Sequence, residues 1–299
     1  MIAAIFAAIG SALLYALASV LQQQAAVRIP AGESLRIGLL ARLVRRPLWL
    51  VGIGCDALGY VLQAVSLALG SLVLVQPLLV TGLLFALPLG ARVSRQRMGS
   101  HEWSGALSVS AGLALFLIAA NPGEGRADAG TSGWIALAAA TAVGVLVALA
   151  AARGPQGPRR AASLAAAAGI TFAFAAVLTK TATHLLGDGA HAFFTAWQPY
   201  ALLGIGGAGM LFIQSAFQAG PLAASLPMLT AAQPVAAVVM GATALGETVQ
   251  FGTFAIGGEV AGLVAILGGV FVLGRSPVVL AGYAPSTSDA DHNQLPPPP

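Results

Sequence analysis

Charged residues make up only 8% of this chain, and cysteine and lysine each occur once, as Cys55 and Lys180. Soluble domains carry about a quarter of their residues charged. A surface this poor in charge cannot stay wet, so lipid must be the main solvent. A single cysteine excludes an internal disulfide and a cysteine-based metal cluster. Enzyme signatures are missing as well. The four histidines, His101, His184, His191 and His292, form no HExxH, and there is no GxSxG or P-loop. The expectation is therefore a protein that is not an enzyme, has no cofactor and does not bind nucleic acid.

What remains is 58% hydrophobic, spread over 299 residues. Apolar runs divided by charged or turn-forming stretches predict nine membrane helices, at about 2–27, 47–69, 72–92, 103–120, 134–152, 163–186, 197–218, 222–245 and 251–274. The first run has no basic region before it and exceeds the ~20 residues that span a bilayer core, so it reads as a retained helix and not a cleaved signal. Residues 276–299 are polar and proline-rich, with too little apolar surface for a core, and read as a disordered cytoplasmic tail. Trp49, Trp103, Trp134 and Trp197 all lie where spans begin, as an interfacial belt would.

The basic residues orient the helices. Arg28, Arg36, Arg42, Arg45, Arg46, Arg92, Arg95, Arg97, Arg153, Arg159, Arg160 and Arg275 all fall on one side of a nine-helix plan, and Arg126 alone falls on the other. The arginine-rich side is the cytoplasmic side of a bacterial plasma membrane, which puts the N-terminus outside and the C-terminus inside. The stretch "SLRIGLLARLVRRPLW" from Ser34 is too charged to span, and suits a basic amphipathic helix on the inner membrane surface.

The chain also repeats itself. Residues 70–118 match 220–268 without a gap at a difference of 150, with Gly70, Pro77, Gly112 and Leu117 among the identities. Upstream, "ALLYALASVLQQQA" from Ala12 matches "GITFAFAAVLTKTA" from Gly169 at a difference of 157, pairing Tyr15 with Phe172. Five crossings separate the two units, so the second enters the membrane inverted. The expected all-α architecture is a first repeat in 1–122, a connecting fifth helix in 123–162 and a second, inverted repeat in 163–275. Substrate sites in such plans lie near mid-membrane between the repeats, often at interrupted helices. Pro77 and Pro227 share a repeat position, in "VLVQPLLVT" and "AASLPMLTAAQP", with Gln76 and Gln233 nearby.

Charge within a span costs about 2.5–3.5 kcal/mol on insertion scales and needs a reason. Asp56 lies roughly 13 Å into the second span at about 1.5 Å per residue. It belongs to a one-face stripe, Asp56, Gly59, Gln63, Ser66 and Gly70, and the seventh span carries Gly204, Gly207, Gln214 and Gln218 in the corresponding place. Gln63 and Gln214 read as repeat partners, with Gly207 replacing the acid. Glu259 and Lys180 lie in the ninth and sixth spans and can pair with each other or serve a solute. Asp56 and Glu259 are the proton-coupling candidates. Gln22, Gln23 and Gln24 end the first span, where a cavity wall and plain interfacial residues are both open readings. No metal-ligand set is expected.

The repeat, the hairpin "ALGSLVLVQPLL" and its partner "QAGPLAASLPMLTAAQPVAAVVMGATALGE" resemble the drug/metabolite transporter superfamily, in particular its EamA-like and NIPA-like branches. The resemblance covers roughly residues 1–275 and lies in pattern and topology. It implies a secondary transporter of a small solute working by alternating access, with the lipid bilayer and the solute as partners and a homodimer as a candidate assembly. The NIPA-like branch implies a magnesium path instead. Nine helices depart from the usual five plus five, and the Leu-Gly-Glu ending occurs once, at Leu245-Gly246-Glu247, with Arg97 in its place in the first repeat. A membrane scaffold without transport is the reading from another class.

Overall fold

The computed structural model describes residues 2–69, 78–93, 98–120, 128–245 and 253–274. Within them the chain is helical and contains no strand. The helices are α1 (Ile2–Val27), α2 (Ile37–Leu43), α3 (Pro47–Leu69), α4 (Gly82–Val93), α5 (Ser100–Ala120), α6 (Gly130–Ala151), α7 (Pro158–Gly187), α8 (Ala190–Thr195), α9 (Gln198–Ala219), α10 (Leu222–Met240) and α11 (Thr253–Gly274). A 3-10 turn, Ala31–Glu33, precedes α2, and a π-helical turn, Gly241–Leu245, ends α10. Helix is the expected outcome, because a backbone in lipid has no water to bond and must satisfy its N–H and C=O groups within the segment.

Among the described residues, eight helices are long and apolar enough to cross a membrane, and a shorter apolar one runs from Leu78 to Val93. The protein is a multi-pass membrane protein. The shorter helix stands where the third span is expected; residues 70–77 lie outside the described residues, as do 246–252 and 275–299. The basic stretch before α3 is shorter as a helix than expected. Its Leu39 and Leu43 are fully buried against the protein, while Ile37, Arg36 and Arg42 face outward. This helix is thus docked on its apolar side, against α9.

Packing relies on small side chains. Apolar burial gives little drive in lipid, whose tails are as apolar as leucine, so close backbone approach and polar bonds must hold helices together. On α1, Ala4, Ala8, Ala12 and Ala16 are all buried at successive turns. α1 packs along α3 and α4; α7 packs along α9 and α10; and α5 crosses α11.

All five of these contacts involve glycine closely. A methyl added at Gly59 would lie 3.1 Å from the Tyr15 ring, and one at Gly209 would lie 2.6 Å from the Phe172 ring. One at Gly82 would lie 3.2 Å from the Ala12 carbonyl oxygen, and one at Gly169 would lie 2.8 Å from Ala232. Where α5 meets α11, a methyl at Gly112 would come within 2.7 Å of the Gly262 carbonyl oxygen, and one at Gly262 within 2.6 Å of that of Gly112. Neighbouring contacts pair Gly105 with Gly269 and Ala119 with Gly258, so these two helices run antiparallel.

The tryptophans divide. Trp103 and Trp197 are exposed, as a belt requires, but Trp49 and Trp134 are buried in the protein. Trp134 stacks edge-on against Trp197 at 5.2 Å, and its indole N–H donates to Asp128 Oδ1 at 2.7 Å.

Candidate functional site

The stripe on α3 faces α1 along its length. Ser66 Oγ donates to the Ala4 carbonyl and Ser11 Oγ to the Gly59 carbonyl, both at 2.8 Å. Tyr15 lays its ring over Gly59, and its hydroxyl donates to Gln63 Oε1 at 2.7 Å. At Gly52 the missing side chain leaves room for Gln22, whose Cγ would be 2.9 Å from an added methyl. The polar residues that made this stripe conspicuous are therefore a helix–helix seam, with Asp56 toward the end at which Gln22 packs.

Beside Asp56 the seam meets a third helix, α9, through Gln22. Gln22 Nε2 donates to Asp56 Oδ2 at 2.5 Å, and Gln22 Oε1 accepts from Gln214 Nε2 at 2.6 Å. An acid on α3, an amide on α1 and an amide on α9 are thus strung together within the membrane. Gln214 is 0% exposed and Gln22 only 4%, so bulk water does not compete for these bonds. Gln214 Oε1 has no hydrogen-bond partner among the described residues. Asp56 itself is only part-buried.

Just toward the end of α1 the same two helices are fastened further. Gln218 Nε2 donates to the carbonyls of Ile29 and Pro30, both at 2.9 Å, and Gln23 Nε2 to that of Gly220 at 3.2 Å. Leu35, held in the left-handed region with φ 61°, donates its N–H to Ser215 Oγ at 3.0 Å. Gly157, with φ 156°, donates its N–H to the Ala219 carbonyl at 2.8 Å, while its own carbonyl lies too close to Gly220 for a side chain there.

Of the residues singled out in the sequence, Asp56 and Gln214 are brought together through Gln22, and Gln63 lies on the same seam bonded to Tyr15. Lys180, half-buried on α7, Pro227, buried in α10, and Gln233, also on α10, are not joined to this string. The Lys180–Glu259 ion pair offered by the sequence does not form. Glu259 is half-buried on α11, with Oε1 lacking a hydrogen-bond partner among the described residues. Gln76 and Pro77 lie outside the described residues, so the proline correspondence is visible only at Pro227.

Two corrections follow. Gln22 is the central residue of the string, and the first-span glutamines offered no spacing signal that distinguished it from Gln23 and Gln24. The contact of Gly59 with Tyr15 and that of Gly209 with Phe172 keep the differences of 150 and 157, which sets Ile213 and not Gln214 opposite Gln63. Gln214 is offset by one residue and points instead toward α1.

Among the described residues, no three His, Cys, Asp or Glu side chains come close enough together to hold a metal ion. No family model matches the chain. No solved structure matches it. It is similar to an uncharacterized protein of Corynebacterium glutamicum, 33% identical over 252 residues that make up 83% of this chain and 86% of that protein.

Proposed function

The chain belongs to one family with that corynebacterial protein, and we propose that it is a secondary transporter of a small solute, built from two inverted repeats and coupled to protons through Asp56. The carrying observation is the string Asp56–Gln22–Gln214, a part-buried acid tied through a buried amide to a helix of the other half of the chain. A carboxyl group kept inside a membrane marks a solute or proton path more often than a packing device.

The inverted repeat is supported by contacts that recur at the differences seen in the sequence. Tyr15–Gly59 corresponds to Phe172–Gly209, and Ala12–Gly82 corresponds to Gly169–Ala232, with the glycine exchanged between the two helices. Gly112 and Gly262 are each other's counterparts and touch each other. The axis relating the two halves then passes through the α5–α11 crossing. Helix directions agree with this plan: α3 runs against α1, while α9 runs along it. A nine-helix count with the N-terminus outside completes the reading, with the helix at Leu78–Val93 as the third crossing. Membership of the drug/metabolite transporter superfamily, a cytoplasmic arginine side and a bacterial plasma membrane belong to the same proposal.

The test is a thermal-shift screen of the detergent-purified protein against small metabolites and Mg²⁺, with Asp56→Asn alongside. A ligand at a hundredfold its Kd stabilises by about 2.7 kcal/mol. A metabolite that stabilises the parent protein and loses its effect in Asp56→Asn supports the transporter. A Mg²⁺ response in its place favours the cation path, for which Asp56 and Glu259 are available only singly. Silence across the panel, with both proteins folded, favours the scaffold.

A further inference from the structure

We infer that Gln22 is a reversible amide relay, reporting the protonation of Asp56 to Gln214 in the other half of the protein. The inference rests on the proposed role of Asp56 as a proton acceptor and adds the means by which that proton is felt elsewhere.

An ionised carboxylate can only accept hydrogen bonds. Gln22 must then turn its NH₂ toward Asp56, as it does, which leaves its carbonyl oxygen facing α9. Gln214 must in turn offer its own NH₂ to that oxygen, as it also does. The order of donors and acceptors along the string is thus dictated by the charge at one end. It leaves Gln214 Oε1 buried and without a partner among the described residues.

A proton taken from water onto Asp56 Oδ2 reverses each bond. The new O–H donates to Gln22 Oε1, the amide turns over, and Gln22 Nε2 donates to Gln214 Oε1. One O–H bond of a hydronium breaks as the carboxyl O–H forms, and no other covalent bond changes. Terminal amide torsions are broad and roughly two-fold, so both orientations fit the same space. Reversal turns the Gln214 amide as well, taking its Nε2 away from Met210 Sδ, 3.7 Å from it in the present arrangement, to the buried place where Oε1 has no partner among the described residues. Each order leaves one polar atom of Gln214 short of a bond, and the proton on Asp56 decides between them. Water reaching the glutamines would serve either order and remove this dependence, and their burial prevents it.

The surroundings leave the decision to Asp56. α3 packs against α1, and the titratable group facing Asp56 from that helix is Tyr15, whose hydroxyl is engaged by Gln63. On α3 itself the neighbouring titratable groups are Cys55, a half-buried free thiol, and Tyr60, which is exposed.

Infrared difference spectra between acid and alkaline buffer test the relay, using the full chain in liposomes with glutamine isotope-labelled at the side-chain carbonyl carbon. The expected result is a carboxylic C=O band that is absent in Asp56→Asn, accompanied by a glutamine carbonyl shift that is absent in both Asp56→Asn and Gln22→Met. An Asp56 band with no glutamine shift, or with a shift that survives in Gln22→Met, overturns the relay and leaves the proton-coupled reading intact. If the Asp56 band itself is missing, the proton-coupled reading fails and the relay falls with it. Should Gln22→Met not fold, the comparison of parent and Asp56→Asn decides, because the glutamine shift must disappear together with the carboxyl band.

Discussion

The α1–α3 and α7–α9 pairs begin from the same contact, an aromatic ring laid over a glycine, and then diverge. In α1–α3 the polar side chains reach across: Ser11 and Ser66 donate to carbonyls of the facing helix, and Tyr15 to Gln63. In α7 the hydroxyls of Thr171, Thr179 and Thr183 turn back on carbonyls of their own helix. With its seam to α7 left to ring and alanine packing, α9 spends its polar groups elsewhere. Gln214, Ser215 and Gln218 bond to α1 and to the segment after it. Similar backbones therefore carry different duties. The first pair is tied by directional bonds, and the second supplies Gln214, the partner of the amide that holds the first pair's acid.

Substitutions can break this comparison at several strengths. The largest effect is expected at the crossing that both halves share. Gly112→Leu would push a side chain into the backbone of α11, at the top of the about 1–3 kcal/mol range for overpacking. A normal yield and an unchanged melting temperature in detergent would contradict the contact.

Next comes Gln22→Leu, which strips a carboxylate of its donor and should cost about 1.5–3 kcal/mol. Its counterpart in the other half, Thr179→Leu, loses only a bond to its own helix and should stay within about 0.5 kcal/mol. Equal losses, read from the same melts, would erase the contrast between cross-helix and self-directed polar groups.

Smaller still is the difference between Gly209→Ala and Gly59→Ala. The first meets its ring 0.5 Å closer, from 2.6 Å against 3.1 Å, and should destabilise more. The reverse order would mean that the two ring-on-glycine contacts are not counterparts. Last, Tyr15→Phe removes one hydroxyl bond within the membrane, worth about 0.6 kcal/mol on average. A loss of several kcal/mol would show Tyr15 to be tied to more than Gln63.

Much of the fold was legible because lipid leaves a chain few choices. α1 and α3 have the boundaries that their apolar runs imply, and most other spans differ from expectation by a few residues. Asp56 stood out because a charge in a span demands an explanation, and Gln63 and Ser66 because they recur on its face. Gln22 did not stand out. One glutamine in a run of three near a helix end has no periodicity to mark it, and only the approach of α9 singles it out. The Lys180–Glu259 pairing failed for a related reason, since depth along two helices says nothing about the angle at which each side chain faces its neighbours. Trp49 and Trp134 were misread as belt residues because an indole is amphipathic enough to serve at an interface or inside a packed corner.

The Gly112–Gly262 contact has a mechanical consequence. The carbonyls there already fill the space into which either helix could slide closer, and the flanking contacts of Gly105 with Gly269 and of Gly258 with Ala119 fix the crossing angle as well. Such a joint acts as a clamp: it holds both distance and angle, so that α5 and α11 move together as one stiff beam.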